Sequence, residues 1–128
     1  MYQKLMIAEV TKKLRKAPLY STDGQNFAPV LVKFFTPWTN WTWYALEGEK
    51  LEDGDWRFFG LVDGHEMELG YFMLSELQSV RGPAGLKIER DMYFDGYFVD
   101  KQNREVTSTT PTARNQPKGE TECPKPLA

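Results

Sequence analysis

The chain has 128 residues, of which 41% are hydrophobic and 14% aromatic, so its length and apolar content fit one globular domain. Its apolar runs are too short for a membrane-spanning helix, and the lone cysteine, Cys123, excludes an internal disulfide and a cysteine-based zinc site. The formal net charge of −2 is too small to indicate a class of partner, and an N-terminus without a sustained apolar stretch predicts a cytoplasmic protein.

The first predicted element is an amphipathic helix. Met6, Val10 and Leu14 recur at four-residue spacing beside Ile7, and the pattern ends near Pro18. The opposite face of this helix carries four basic side chains, Lys12, Lys13, Arg15 and Lys16.

Two strands follow, at residues 29–36 and 41–47, and a proline-containing turn joins them. Alternation along the second strand predicts that Trp41 and Trp43 point into the core. Trp38 lies in the turn, where burial is harder to arrange, so we expect it at the surface. An acidic segment, residues 48–55, then reads as a surface loop.

The clearest local pattern is a β-hairpin across Asp63-Gly64, a dipeptide that favours a tight turn between right-twisted strands. We expect Val62 to lie opposite His65 in this hairpin. That register keeps Glu66 and Glu68 off the core face, and a slip by one residue would bury them.

The remaining elements complete an α+β domain. Residues 75–78 match a capping box and predict a short helix, and residues 86–94 predict a strand whose apolar face is interrupted by Arg90. Asp95-Gly96 would turn the chain into a last short strand, 97–99. We therefore predict a meandering, mostly antiparallel sheet of about five strands, an N-terminal helix, and one short helix after the fourth strand.

The composition changes near residue 101. From there to residue 128 the chain is rich in proline and small polar residues and has few large apolar ones, which predicts a disordered tail. The globular domain is accordingly predicted to span residues 1–100.

Three stretches carry a family resemblance: KFFTPWTNWTWY (33–44), FFGLVDGHEMELGYFMLSEL (58–77) and GLKIERDMYF (85–94). They resemble the blocks K-F-F-T-P…W-T-W-Y, E-L-G-Y-F-x-L-x-E-L and I-E-R-D of the bacterial family known as domain of unknown function 2958. The resemblance covers roughly residues 4–95. It implies a small protein of the kind encoded on plasmids, conjugative elements and phages, and it implies no activity.

A protein partner is the first functional hypothesis. Basic residues concentrate in residues 1–33 and acidic residues in 47–76, and such a separation can mark a docking face, although a solvated helix face and an acidic loop also explain it. The exposed indole of Trp38 could anchor the partner. The acidic segment would supply the other contacts, Glu49, Glu52, Asp53 and Asp55.

Nucleic acid is the alternative partner. The basic face of the N-terminal helix gives an electrostatic footprint, and exposed aromatic rings can stack on bases. Acidic residues outnumber basic ones over residues 1–100, however, and that balance repels phosphate.

A carboxylate-based enzyme is the third hypothesis. Glu66 and Glu68 share one face of the hairpin, and Glu89 and Asp91 share one face of the later strand. If the two strands are neighbours, Glu68 and Asp91 could form an acid/base pair or a weak divalent-metal site, whereas the ordinary interpretation is a solvated sheet face. His65 is the sole histidine, no cofactor or metal motif occurs, and we expect neither group.

Arg90 must be paired if it is buried, because an unpaired buried charge is very costly. We expect a structural ion pair with Glu66, Glu68 or Glu76, and a carboxylate or phosphate of a ligand is the alternative.

The sequence as a whole predicts a non-catalytic protein-binding accessory protein of a bacterial mobile element, which acts against a host defence such as restriction or CRISPR. The first alternative is a nucleic-acid-binding accessory of plasmid maintenance or transfer. The second is a carboxylate-based enzyme.

Overall fold

A computed structural model describes residues 4–92, 94 and 96–108 of the chain. It confirms the predicted α+β class. The α-helices are α1 (Ala8–Arg15) and α2 (Leu74–Ser79), and Pro83–Gly85 form a 3₁₀ turn. The strands are β1 (Phe27–Pro29), β2 (Val32–Phe35), β3 (Thr42–Lys50), β4 (Trp56–Asp63), β5 (Met67–Met73), β6 (Glu89–Arg90), β7 (Phe98–Asp100) and β8 (Glu105–Thr107).

The described strands form two antiparallel sheets instead of the single predicted one. Five strands pair in the order β5-β4-β3-β2-β6, and three pair in the order β1-β7-β8. The predicted strand 29–36 is therefore divided, because the chain leaves the small sheet after Pro29 and enters the large one at Val32. Alternation continues across this break, with Val30, Val32 and Phe34 all buried, so the pattern gives no sign of it.

Helix α1 covers one face of the five-stranded sheet, which we call the helix face. Val10 and Leu14 are its buried residues, as the four-residue spacing predicts. They pack into a core with strand residues that include Phe34, Phe58 and Phe72. Removing rings of this size from water is the main source of stability for such a small sheet.

The three-stranded sheet covers part of the opposite face. Its residues Ala28 and Val99 pack with Leu46 and Leu61 in a second buried cluster. Both faces of β3 and β4 are therefore apolar over part of their length. Strands buried on both faces lose the clean alternation from which a register can be predicted.

A bulge interrupts β3 between Ala45 and Glu47. Beside it, a Cβ atom on Gly60 would lie 1.8 Å from the Tyr44 carbonyl oxygen, so only glycine fits there. Strand β3 then continues to Lys50, which corrects the predicted loop: the connection to β4 comprises residues 51–55 and not 48–55.

The β4–β5 hairpin exists, but its predicted register is wrong. Asp63 pairs with Met67 across a three-residue loop, and Gly60 pairs with Gly70. The change brings Phe72 into the core, and it places Glu68 on the helix face, at an exposed end of the strand. The reason is the second core, which takes Met67 and other apolar side chains on the opposite face.

Two further boundaries differ from the prediction. Helix α2 begins at Leu74, and the Glu76 carboxylate accepts a hydrogen bond from the Met73 N–H at 2.9 Å, so the cap lies two residues before the predicted one. Strand β6 is only two residues long, and Met92, which belongs to the predicted strand 86–94, is 61% exposed.

The structure continues past the predicted domain boundary. Residues 101–104 form a turn and 105–107 form β8, although the composition places them in the tail. The rest of the predicted tail, 109–128, and Asp95 of the predicted turn lie outside the described residues. Neither helix of the described part has the length and apolar character that crossing a bilayer requires.

Candidate protein-interaction site

Strand β5 is an edge of the five-stranded sheet and pairs only with β4 among the described strands. The Met67 carbonyl accepts a hydrogen bond from Arg104 at 3.3 Å, and the Met73 N–H donates to a carboxylate of α2. These two residues thus direct backbone groups away from β4. In an antiparallel strand the backbone N–H and C=O groups of successive residues point alternately to the two sides. Leu69 and Tyr71 therefore also present their N–H and C=O groups outward. We call these four groups the β5 edge.

Hydrogen bonding inside the sheet leads independently to the same orientation of the β5 backbone groups. The Ala45 carbonyl accepts a hydrogen bond from the residue before β2 at 2.9 Å, so Ala45 faces β2 and its neighbour Tyr44 faces β4. Tyr44 pairs with Leu61, which leaves Gly60 facing its partner Gly70. The residues on either side of Gly70 therefore point outward.

A groove of about 240 Å³ opens beside the β5 edge on the helix face, at the tip of the hairpin. We call it the hairpin groove. It is lined by Trp41, Val62, Gly64, His65, Glu66 and Glu68. Its walls combine aromatic rings with two exposed carboxylates.

The aromatic wall is closely packed. The Trp41 ring lies on the backbone of Gly64, where a Cβ atom would come within 2.4 Å of the ring. His65 meets Trp41 edge-on with ring centroids 5.3 Å apart, and the Trp43 ring lies 5.9 Å away. Trp43 packs against the core as predicted, but Trp41, predicted to be a core residue, is part-exposed and forms the wall of the groove.

Two tyrosines lie beside the β5 edge on the other face of the sheet. Tyr71 is 53% exposed and packs on Phe59 at 5.2 Å between ring centroids, and Tyr20 is 64% exposed. A hydrogen bond with the Tyr20 side chain raises the pKa of the Tyr71 hydroxyl. The two rings together form an exposed aromatic surface, which we call the tyrosine pair.

A buried carboxylate holds Tyr20 in place. Glu47 is 2% exposed and accepts hydrogen bonds from the Tyr20 N–H at 2.7 Å, from the Thr22 N–H at 2.9 Å and from the Thr22 hydroxyl. Tyr20 has a φ of 75°, a left-handed conformation that a tyrosine rarely adopts without such support. The Lys101 ammonium donates to the Thr22 carbonyl at 2.7 Å, and burial lowers the pKa of Lys101.

The sequence carries no signal for this cluster. Glu47 lies 25 residues from Thr22 in the sequence, and nothing in the sequence distinguishes it from its acidic neighbours. Lys101 falls in the segment predicted to be disordered. The donors and the acceptor come together only because the bulge in β3 turns Glu47 inward, and no local pattern predicts that bulge.

The predicted partner-binding residues do not form one surface. Trp38 lies in the β2–β3 turn, whereas Glu49 lies near the end of β3 and the other acidic residues lie in the β3–β4 loop. The tryptophan and the acidic residues are therefore at opposite ends of the nine-residue strand β3. At about 3.4 Å per residue these ends are roughly 30 Å apart. The Trp38 ring is also part-buried and covers Gly82, whereas the prediction placed it at the surface.

The acidic residues themselves have different environments. Glu49, Glu52 and Asp53 are exposed. Asp55 instead accepts hydrogen bonds from the backbone N–H groups of Trp56 at 2.8 Å and Ser75 at 3.0 Å. Hydrogen bonding with Ser75 is the largest cause of a lowered pKa at Asp55. Asp55 therefore connects the β3–β4 loop to α2.

The predicted carboxylate pair is contradicted by the strand order. Glu68 lies on β5 and Asp91 directly follows β6, at opposite edges of the sheet, which four strand spacings of about 4.8 Å place roughly 19 Å apart. Asp91 forms an ion pair with Lys33 at 3.5 Å. No metal-binding group of three or more suitable side chains occurs among the described residues.

Arg90 has a structural role that differs from the predicted one. It is buried, and its guanidinium donates to the backbone carbonyls of Lys4 and Leu5, which ties the segment before α1 to β6. Glu66 and Glu68 are at the far edge of the sheet, so the predicted ion pair with them is wrong.

The basic residues of α1 lie on its outer side. Three of the four are exposed, and Lys13 is part-buried. Lys13 lines a second groove of about 250 Å³ together with Arg90, two acidic residues and several apolar ones. This groove is on the side of the sheet edged by β6, far from the hairpin groove.

A family model described as "Protein of unknown function (DUF2958)" matches residues 4–102, which includes all three of the sequence blocks noted above. No curated protein and no solved structure gives a match to the chain.

Proposed function

The chain belongs to the DUF2958 family, and we propose that it is a non-catalytic protein-binding accessory protein that pairs with an extended segment of its partner along the β5 edge. One observation carries the proposal: the outward N–H and C=O groups of Leu69 and Tyr71 lie between two side-chain surfaces, the hairpin groove and the tyrosine pair. In strand addition, backbone hydrogen bonds supply affinity and alternate side chains supply specificity.

The composition of β5 supports this use of its edge. Natural sheet edges are commonly protected from pairing by lysine, proline or a bulge. Strand β5 has seven residues, and its sequence MELGYFM contains neither lysine nor proline. Arg104 donates to the Met67 carbonyl at the end of β5, and no hydrogen bond from another described residue is found at the outward groups of Leu69 and Tyr71 in the middle of the strand.

Charge and surface chemistry indicate the kind of segment. Glu66 and Glu68 are exposed beside one side of the edge, and Tyr20 and Tyr71 are exposed beside the other. The complementary partner segment is extended, positively charged at the residues next to Glu68, and apolar or aromatic at the alternate residues next to Tyr71.

The biological setting rests on the family resemblance. Because that resemblance implies carriage on plasmids, conjugative elements and phages, we propose a component of a host defence, such as restriction or CRISPR, as the partner. A partner of this kind would be inhibited by capture of one of its strands or basic extended segments.

Selection from a random peptide library tests the proposal. Peptides are selected on the wild-type chain, and the binding of each selected peptide to Tyr71→Pro is then measured; this substitution removes one outward N–H and leaves the hydrogen bonds to β4 in place. Tyr71→Ala is the matched control, because it removes the same ring but keeps the N–H. We expect peptides that bind the wild type and, with less affinity, Tyr71→Ala, but not Tyr71→Pro.

Three results would contradict the proposal. Peptides that bind Tyr71→Pro as well as the wild type would place the contact elsewhere. A dimer in sedimentation equilibrium that Tyr71→Pro dissociates would make a second copy of this chain the occupant of the β5 edge. Binding of DNA or RNA that is lost when Lys12 and Arg15 are changed to Gln would favour the nucleic-acid alternative.

A further inference from the structure

We infer that the hairpin groove is a binding site for one cationic side chain, a lysine or an arginine of the partner segment. The inference rests on the proposed function for the source of the cation, but the groove itself can be tested without a partner. Nothing in the family description assigns a ligand to these residues.

The size of the groove limits the ligand to a single group. Sites for whole small molecules usually have volumes of about 300–1,000 Å³. The hairpin groove has about 240 Å³ and is open to solvent, so it suits the end of one side chain. Its position next to Glu68, on the edge strand itself, is where a side chain of an added strand would project on the helix face.

The lining determines the charge of that side chain. Two carboxylates, Glu66 and Glu68, line the groove and repel a phosphate or a carboxylate. The Trp41 ring forms the wall, and the electron-rich face of tryptophan is the aromatic surface that attracts cations most strongly. A divalent metal is a poor match, because the described residues contain no group of three metal-ligating side chains.

The aromatic wall is also fixed in advance. Gly64 permits the close approach of Trp41, and the His65 ring packs against the same indole in a T-shaped arrangement. A wall that does not reorganise on binding avoids an entropic cost. The arrangement therefore combines a closely packed aromatic surface with two exposed carboxylates, which suits a guanidinium or an ammonium group.

The test uses small probes and NMR. N-acetyl-argininamide and N-acetyl-lysinamide are titrated into ¹⁵N-labelled protein, and the indole N–H of Trp41 and the amides of residues 64–68 are followed. The neutral isostere N-acetyl-citrullinamide serves as the uncharged comparison. We expect the cationic probes to bind at least about fivefold more tightly than the citrulline probe, with shifts confined to the groove.

Variants separate charge from structure. Glu66→Gln with Glu68→Gln removes both groove carboxylates, and both residues are exposed, so the fold is expected to persist. Glu49→Gln with Glu52→Gln removes the same charge at the other end of the sheet and is the matched control. We expect the affinity for the cationic probes to fall about fivefold or more in the first double variant and to stay unchanged in the second.

The outcomes distinguish this inference from the proposed function. Equal binding of the arginine and citrulline probes, or no loss in the groove double variant, would overturn the cation site, even if edge-dependent peptides are found. If spermidine binds more tightly than either amide probe, the ligand of the groove is a polyamine, and the claim that the cation comes from a protein partner is wrong. Tyr71→Pro should bind N-acetyl-argininamide like the wild type, so failure of strand addition leaves the groove result intact.

Discussion

Gly60 and Gly70 face each other across β4 and β5 but have opposite tolerances to substitution. A Cβ atom on Gly60 would lie 1.8 Å from the backbone oxygen of Tyr44, whereas one on Gly70 would meet no atom within 4 Å. Gly60→Ala should therefore lower the free energy of unfolding by about 3 kcal/mol or more, because the backbone at the bulge must move. Gly70→Ala should leave it unchanged or raise it by about 0.5 kcal/mol.

Urea unfolding followed by tryptophan fluorescence measures both glycine variants. Equal effects of the two substitutions would mean that the bulge in β3 is not where the structure places it. Either outcome also bears on the β5 edge, because the outward direction of Leu69 and Tyr71 depends on the Gly60–Gly70 pairing.

The sequence gives little information on which individual residues come together in the site. Composition identified Trp41, Glu66 and Glu68 as chemically notable, but it could not bring them together, because their proximity depends on the register of the hairpin. Glu47 and Lys101 were missed entirely. A buried carboxylate whose partners are distant in sequence leaves no local pattern, and its position is decided by tertiary packing.

The hairpin shows why an element can be predicted correctly and its register incorrectly. Asp63-Gly64 does indicate a turn, and the two strands do pair. Packing outweighs the preference of Asp63-Gly64 for a two-residue loop. The observed three-residue loop lets Phe72 enter the core of the helix face while Met67 packs in the second core. With apolar positions on both faces, alternation could not choose between these registers.

Asp55 links the β3–β4 loop to α2, and this link should depend on pH. The folded pKa of Asp55 is lowered from the ordinary 3.8, so its carboxylate stabilises the fold above that pH, and the contribution is lost as the pH falls through the folded pKa. Asp55→Ala should cost about 1 kcal/mol at neutral pH, the usual scale for a helix-capping acceptor.

Urea unfolding between pH 7 and pH 2 checks this prediction. The difference between wild type and Asp55→Ala should shrink below about pH 4, where the unfolded-state carboxyl becomes protonated. Asp55→Asn keeps an oxygen acceptor without a charge and should show no such change relative to Asp55→Ala. If the free energy of unfolding of the wild type still exceeds that of Asp55→Ala by the same amount at pH 2, the ionised carboxylate does not have this stabilising role.

The molecule is assembled from two sheets, and its second core depends on residues beyond the predicted domain boundary. Val106 of β8 packs against that core, and Lys101 donates two hydrogen bonds to Thr22. A chain ending at residue 100 should therefore unfold with a free energy lower by about 3 kcal/mol or more than a chain ending at residue 108. Equal urea midpoints for the two truncated chains would show that β8 contributes nothing.

The α+β class, the N-terminal helix and the hairpin were all predictable, because each rests on a local periodicity. The second sheet was not, since its three strands have only three residues each and β1 is distant in the chain from β7 and β8. The position of β5 at an edge follows from the order of the described strands, which is a property of the assembled fold. The candidate site is consequently a feature of the assembled fold, although several of its side chains were singled out in advance.

Amide hydrogen exchange tests the central claim most directly. It is measured by NMR on the wild-type chain, free and bound to a peptide selected as described above. We predict that the Leu69 and Tyr71 amides, which point away from β4, exchange at least about tenfold more slowly in the complex than in the free protein, because they become hydrogen-bonded to the added strand. Unchanged exchange at both amides while the peptide is bound, with protection elsewhere, would contradict strand addition at the β5 edge.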